Sequence, residues 1–444
     1  MIAGYSYPEK TCTLRLDRPL REFEGIGIEP VPNFGEILEH SRRAFLQRAK
    51  TLQTHPDVQK YTQRLTLSVQ TVASRLNRYQ TVFIPVYKAI CDTLPHLSSL
   101  RILVLKKINL TTMLLEQLRQ LHFLHTLEIK SCVSDVPYTP QLCQLSSILN
   151  LLLDIDDIEL TSSLITLAMF PRIKNLSVQR SDSWSPRPFA DLAPPQFWHE
   201  VNPFMTLRKL LFPYPCSSST FATLMTWMEA ALTRCSQRCL PLTHLKIILD
   251  TNVTGAKLID FLRLLAKTSL ESLVIVGIPN PRPTFFSTIS ELLPNLLELT
   301  LTYVPHDDDF MEIDFEAFSL SNWPFSPYNY ARSFSSFNRL SYFAWNIKYP
   351  KRTYYTSSLL LLEEEDSATP DEDFQLDDAL DEGAFLARSF WAYCPSLQYM
   401  VITDTRPRYI YRRIDVDGHV SFKNTKEAKG MVFRCNPQKQ WDRS

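Results

Sequence analysis

Cys216, Cys235, Cys239 and His244 supply four donors of the kind that hold zinc. Zinc needs four such groups converging as a tetrahedron. The C-x3-C spacing of Cys235 and Cys239 is not that of a zinc knuckle. Cys239 and His244 also straddle a helix end and a strand, so we read buried free thiols here. Asp154-Ile-Asp156 has the D-x-D form of metal-dependent sugar transferases, and "HDDD" at 306–309 is a second carboxylate cluster. Metal catalysis needs further converging ligands, and none can be named, so both read as solvated loop carboxylates. No serine, histidine and carboxylate group by spacing into a hydrolase triad. Gly25 and Gly27 form a G-x-G pair with Pro30 where a third glycine would complete a phosphate-binding fingerprint. Basic and aromatic residues interleave in "KYPKRTYY" (348–355) and "RPRYIYRR" (406–413), a mixture able to stack bases and hold phosphates. Both stretches flank an acidic run, and we read them as its neutralising partners. The chain is therefore expected to be no enzyme, with no catalytic residue, no metal and no other cofactor.

The bulk numbers agree. Nine glycines in 444 residues are about 2%, against roughly 7% in an average protein. Phosphate-cradling loops need glycine for close backbone approach, so the large nucleotide-binding classes are disfavoured. Charge balances at 47 basic and 47 acidic residues, so no global field draws the chain to nucleic acid or membrane. The longest leucine run, Leu359 to Leu362, falls far short of the ~20 apolar residues of a membrane span. "MIAGYSYPEK" is no signal peptide. Nine cysteines without framework spacing then read as reduced thiols of a cytoplasmic or nuclear protein.

What positions these residues is a repeat. "LPNLLELTL" (293–301) carries L-x-x-L-x-L at Leu296, Leu299 and Leu301. The same spacing of large apolar residues starts at Leu100, Leu124, Ile148, Ile173, Leu207, Leu242, Leu270, Leu340 and Leu397, with weaker copies at Thr11 and Thr62. Successive gaps are 24, 24, 25, 34, 35, 28, 26, 44 and 57 residues. The last two apolar positions of a copy are i and i+2, on one face of a short strand. Apolar residues three and four apart between copies predict helices over 111–121, 219–235, 255–266 and 285–293. Pro171, Pro294 and Pro395 each stand two residues before a copy, where proline stops a helix and starts an extended turn. One unit is thus a strand and a return helix. The fold class is α/β: an irregular leucine-rich-repeat solenoid (horseshoe) with an inner parallel sheet and outer helices.

The expected organisation is an N-terminal strand and capping helix in 1–60, the solenoid in 61–404, and a C-terminal hairpin and tail in 405–444. The capping helix is predicted over 33–52, with Asn33 as its cap. Asp417-Gly418 between alternating runs predicts the hairpin. Residues 363–382 hold 11 acids and no base, and read as a disordered insert.

Strand residues between the buried positions point to the open inner face. They are Lys106, Glu128, Lys130, Asp154, Gln179, Lys209, His244, Lys246, Glu298, Tyr342, Asn346 and Tyr399. The mixture of charge, amide and aromatic groups suits a protein partner rather than nucleic acid. Tyr342 and Tyr399 are the expected anchors.

The repeats, "CPSLQYMVI" followed by a basic hairpin, and "PDVQKYTQRLTLSV" resemble F-box/leucine-rich-repeat proteins of the basidiomycete type, over roughly residues 8–422. The resemblance implies substrate reception for cullin-RING ubiquitin ligases, with an F-box on a Skp-type adaptor and the repeats holding the substrate. An F-box opens on an "LPxE[IL]L"-like helix. The nearest string here, "NFGEILEHS", lacks the leading leucine-proline and has too few residues after it. A Skp-type adaptor is therefore not an expected partner of this chain, which leaves the recognition half of the role. A repeat scaffold with no ubiquitin link is the alternative, and a metal-dependent enzyme the least favoured reading.

Overall fold

Most L-x-x-L-x-L copies enter their strands through one recurring backbone fork. The N–H groups of two successive residues converge on a single carbonyl of the preceding repeat. His125 and Thr126 meet on the Arg101 oxygen, Leu149 and Asn150 on that of His125, and Lys174 and Asn175 on that of Leu149. The fork recurs at Glu271 and Ser272 on Thr243, at Leu297 and Glu298 on Glu271, and at Ser341 and Tyr342 on Leu297. Register is thereby copied from repeat to repeat, whatever the length between. The computed structural model describes residues 10–16, 34–69, 80–130, 132, 145–155, 170–180, 202–216, 218–235, 239–250, 252–279, 281–303, 323–347, 382–403, 407–416 and 419–424. The chain divides into two compact units, Met1–Pro213 with Ala222–Leu242, and Tyr214–Phe221 with Thr243–Ser444.

In the first unit β1 (Lys10–Arg15), β2 (Thr62–Ser68), β3 (Ile102–Lys106), β4 (Thr126–Lys130), β5 (Asn150–Ile155), β6 (Asn175–Arg180) and β7 (Lys209–Cys216) follow in chain order. Neighbours pair in parallel. Leu65, Leu103, Leu127, Leu151, Leu176 and Leu210 share one register position and are buried. Leu67, Leu105, Ile129, Leu153 and Val178 form the next buried row. The two weaker copies also join the sheet, the first offset by two residues: Leu14, its middle apolar position, pairs with Leu67, the last of the second, and both are buried. Helix α1 (Phe34–Thr54) buries Leu38, Phe45, Ala49 and Leu52. Helix α2 (Pro56–Tyr61) starts on proline and turns straight into β2, where Thr62 Oγ1 donates back to the Val58 carbonyl at 2.6 Å. Helix α3 (Gln80–Thr93) precedes β3. Helix α4 (Thr112–Arg119) is capped by the Thr111 hydroxyl, which accepts from the Leu114 N–H, and it buries Leu114, Leu115 and Leu118.

Helix α5 (Ser218–Arg234) runs from the second unit into the first. In the second unit β8 (His244–Leu249), β9 (Ser272–Ile278), β10 (Glu298–Tyr303), β11 (Tyr342–Trp345) and β12 (Tyr399–Thr403) are parallel neighbours. Helices α6 (Gly255–Leu265), α7 (Pro283–Leu292), α8 (Pro327–Arg332) and α9 (Glu382–Tyr393) lie between them in sequence. The helices expected over 111–121, 219–235, 255–266 and 285–293 are thus present, with ends shifted by one or two residues. Helices α7 and α9 stop two residues short of Pro294 and Pro395, as a proline stop requires. An aromatic core fills this unit. Phe343 stands 4.7 Å from Phe334 and 5.4 Å from Phe390, and Phe286 lies 5.1 Å from Tyr330. The buried Tyr330 hydroxyl donates to the Pro281 carbonyl at 2.6 Å. Strand β13 (Pro407–Val416) joins β12 antiparallel, and β14 (His419–Asn424) returns along β13, giving the hairpin expected in this region. Residues 363–381 of the acidic insert, "HDDD" at 306–309, "KYPKRTYY" at 348–355, Asn33 and the Asp417-Gly418 turn lie outside the described residues.

Candidate functional site: the open sheet face

With the leucine rows turned into the core, alternate strand positions form three rows on the opposite face. In the first unit the first row is Thr11, Arg64, Ile102, Thr126, Asn150, Asn175 and Lys209. The second is Thr13, Thr66, Val104, Glu128, Leu152, Ser177 and Leu211. The third is Arg15, Ser68, Lys106, Lys130, Asp154 and Gln179. Lys106, Glu128, Lys130, Asp154 and Lys209 all stand on this face and are half-buried. Gln179 holds its place in the register, while its side chain lies outside the described residues.

The polar groups of these rows are coupled across strands. Glu128 accepts from Arg64 at 3.2 Å through one carboxylate oxygen and meets the Lys130 ammonium at 2.8 Å through the other. An amide ladder runs along the first row. Asn175 Nδ2 donates to Asn150 Oδ1 at 2.6 Å, and Asn150 Nδ2 donates to Thr126 Oγ1 at 3.0 Å. Neighbouring strands lie ~4.8 Å apart, so identical register positions place such side chains within reach. Arg64, Thr126, Asn150 and Asn175 were not among the residues expected to form the site. The signal was available, because they obey the same alternation as Glu128 and Lys130.

The second unit differs. His244, Ser272, Glu298, Tyr342 and Tyr399 make the first row, and Lys246, Val274, Thr300, Ala344 and Val401 the second. Ile248, Val276 and Thr302 continue the third. His244, Lys246, Glu298 and Tyr399 are half-buried. Glu298 accepts from the Ser272 hydroxyl at 3.2 Å, and the Arg412 guanidinium lies 5.9 Å from the centre of the Tyr399 ring. Tyr342 and Asn346 correct the expectation of exposed partner contacts, since both are buried. Tyr342 packs with Ala344, Val401 and Ile410, and Tyr399 leans on that cluster. Asn346 is an internal clamp. Its Oδ1 accepts from the Tyr303 N–H at 2.9 Å and from Trp323 Nε1 at 3.2 Å, while its Nδ2 donates to the Tyr303 carbonyl at 2.8 Å. A β-sheet face normally leaves such groups to water, but here a side chain satisfies the backbone.

No three histidine, cysteine, aspartate or glutamate side chains come together as a metal-holding group among the described residues. Cys216 is fully buried, and burial, with the Asp250 carboxylate nearby, pushes its thiol up to about 12. A zinc ligand is a thiolate, stabilised by the opposite kind of surroundings. Cys235 Sγ donates to the Cys239 carbonyl at 3.5 Å. No helix among the described residues is long and apolar enough to cross a membrane.

This strand, turn and helix unit, with two leucine rows inward and three rows outward, decides the architecture. It is a leucine-rich-repeat α/β solenoid. No protein-family model matches the chain, and no curated protein matches it. Solved structures similar to it include the TLR13–ssRNA13 complex, at 15% identity and a TM-score of 0.34, over 66% of this chain and 34% of that one. Another is an internalin, inlF of Listeria monocytogenes, at 14% identity and a TM-score of 0.31, over 75% of this chain and 94% of that one. The chain thus spans about a third of the TLR13 chain's length.

Proposed function

We propose that the chain is a non-catalytic protein-recognition module that holds its partner on the open sheet face, chiefly that of the first unit. The observation that carries this reading is the division of labour along each strand. Alternate positions fill the core in register, and the positions between place charged and amide groups side by side in the same register, among the apolar Ile102, Val104, Leu152 and Leu211. Lys106, Glu128, Lys130, Asp154, Gln179 and Lys209 are the contacts proposed there, with Arg64, Asn150 and Asn175 added from the same rows. His244, Lys246, Glu298 and Tyr399 form a second, smaller set, while Tyr342 and Asn346 act from within the core. Repeat arrays offer such faces to extended partners.

The finer role is that of a substrate receptor related to the F-box subunits of cullin-RING ubiquitin ligases. It rests on "PDVQKYTQRLTLSV" and "CPSLQYMVI" and their resemblance to that family. The helix over Phe34–Thr54 runs through "NFGEILEHS" and is followed at once by α2 and β2. That sequence of elements supports the expectation that this chain does not bind a Skp-type adaptor by itself. Affinity co-purification with mass spectrometry tests both levels. A co-purifying protein should be lost from the Lys106→Glu/Lys130→Glu/Lys209→Glu variant, while the variant keeps the wild-type melting temperature. Retention of that protein by the folded variant overturns the recognition face. Micromolar or tighter binding of recombinant adaptor overturns the reading of the N-terminal segment.

A further inference from the structure

In the first unit, the edge of the sheet where the strands begin has a chemistry of its own. The fork carbonyls and their donors run through Arg101, His125, Leu149, Lys174 and Arg208, so these residues hold one register position from β3 to β7. Ahead of β3 to β6 the chain makes the same turn each time. The apolar residue that opens a copy donates its N–H three residues back, as Leu124 does to Leu121 at 3.1 Å and Ile173 to Phe170 at 3.3 Å. Ser99, Phe123, Ser147 and Arg172 therefore share one turn position, two residues before the fork line. Arg101 and Arg172 are exposed, Lys174 is half-buried, and Phe123 is 68% exposed. None of these four side chains has an ion pair, hydrogen bond or ring contact among the described residues. Arg208 has an interaction of its own and is not counted. The entry segments 94–101, 120–126, 145–150, 170–175 and 202–209 hold no aspartate or glutamate. Glu128, further along β4, has one oxygen on Arg64 and the other on Lys130. Unbalanced bases thus stand at the entries of β3 and β6, with Phe123 and the half-buried Leu149 between them on β4 and β5.

From this geometry we infer that the strand-entry edge binds an extended acidic segment of a partner protein, with carboxylates on both sides of one apolar residue. This is a second surface, separate from the open sheet face proposed above, and it names the chemistry of its partner. Three strand intervals of ~4.8 Å separate β3 from β6, which is ~14 Å, and residues i and i+4 of an extended chain are separated by ~13–14 Å. Side chains i, i+2 and i+4 point the same way. An acid at i and at i+4, with an apolar residue at i+2, therefore matches Arg101, the Phe123–Leu149 centre and the Arg172–Lys174 pair. A guanidinium takes a carboxylate through two parallel hydrogen bonds, and phenylalanine and arginine are enriched in protein interfaces. A nucleic acid would satisfy the same bases through phosphates, but it carries a charge at every residue and would set charge against the apolar centre.

The test uses the full chain and a fluorescein-labelled heptapeptide with paired glutamates at each end and a leucine at its centre between two serines. Binding is read by fluorescence anisotropy at low salt. Three controls are the same peptide with serine for leucine, the same peptide with glutamine for every glutamate, and a single-stranded oligonucleotide of equal charge. The leucine peptide should bind at least fivefold tighter than the serine peptide, and the glutamine peptide should not bind. Arg101→Gln/Arg172→Gln/Lys174→Gln should weaken binding at least tenfold with an unchanged melting temperature. Phe123→Ser should abolish the preference for leucine, whereas Lys267→Gln, at an exposed lysine of the second unit, should change nothing. Equal binding of the leucine and serine peptides, tighter binding of the oligonucleotide, or an unaffected triple variant each overturns the inference. So does absence of binding by every probe. If the triple variant melts below wild type, Phe123→Ser decides alone, and a leucine preference that survives it overturns the inference. None of these substitutions touches Lys106, Lys130 or Lys209, so the sheet-face reading stands or falls separately, on the charge-reversed variant.

Discussion

Gly277→Ala is expected to destabilise the second unit far more than the same change at Gly255. Gly277 is the extra residue of a bulge in β9, because Thr302 of β10 pairs with Val276 and Tyr303 with Ile278. Its φ is +80°, and a Cβ placed there would lie 2.8 Å from the Leu249 carbonyl oxygen. Side-chain-bearing residues pay ~1–2 kcal/mol for left-handed backbone. The overlap adds ~1–3 kcal/mol, since the atom struck is backbone of the adjacent strand and cannot swing aside. The sum is ~2–5 kcal/mol. Gly255 opens helix α6, and a Cβ there meets nothing within 4 Å. Alanine at a compatible site lowers unfolded-state entropy and stabilises by up to ~1 kcal/mol. Because that unfolded-state effect is common to both variants, their difference reports the native backbone. Urea unfolding followed by tryptophan fluorescence and circular dichroism supplies both values. Midpoints for the two variants that agree within ~0.5 kcal/mol would refute the bulge geometry and the register drawn from it.

Leu273 is fully buried between Leu245 and Leu299 in the core row, so Leu273→Ala should cost ~2–5 kcal/mol in the same assay; a loss under ~1 kcal/mol would contradict its burial. Asn346→Ala leaves the Tyr303 N–H and carbonyl and the Trp323 indole N–H without this partner, at ~1–3 kcal/mol for the buried indole and less for the part-buried Tyr303 groups; a change within ~0.5 kcal/mol would return Asn346 to the surface. For Cys216 the folded thiol is raised to about 12, above its ordinary value near 9, so its contribution is complete below pH 9 and is lost as pH rises toward 12. Urea midpoints of wild type should therefore fall more steeply between pH 9 and 11 than those of Cys216→Ala, and parallel curves would remove that cause.

The leucine rows were legible because two constraints coincide. A strand with one face in the core must place apolar side chains at i and i+2. The fork that brings both Leu297 and Glu298 N–H groups onto the Glu271 carbonyl then repeats the register without reference to what lies between copies. That explains how steps from 24 (Leu103 to Leu127) to 38 residues (Leu65 to Leu103) coexist with one unshifted row from Leu65 to Leu210. The bulge at Gly277 was not legible in the same way. A glycine inside an apolar run marks either a weak strand or an extra residue, and only the pairing of Tyr303 with Ile278 distinguishes them.

The open face was legible in position and not in exposure, and the reason lies in the strands themselves. Alternation assigns Tyr342 to the same side as Glu128, but says nothing about what else packs there. Strands β9 and β11, "SLVIVGI" and "YFAW", are apolar at nearly every position and buried on both sides. Runs of that kind belong to sheets covered on two faces, whereas alternation of apolar and polar residues belongs to a face in water. In β4 the pattern "TLEIK" alternates strictly between half-buried and buried. Reading each strand for both periodicities separates β4 from β9 and β11. Ile248, Val274 and Val276 form a buried cluster at outward positions of β8 and β9. The aromatic pair chosen as anchors stands in the first kind of strand, and Glu128 and Lys130 stand in the second. Large apolar side chains on the outward row of a repeat strand are therefore better read as a sign that the row is covered than as a binding hot spot. Charge and amides in register are the stronger mark of a face left open for a partner.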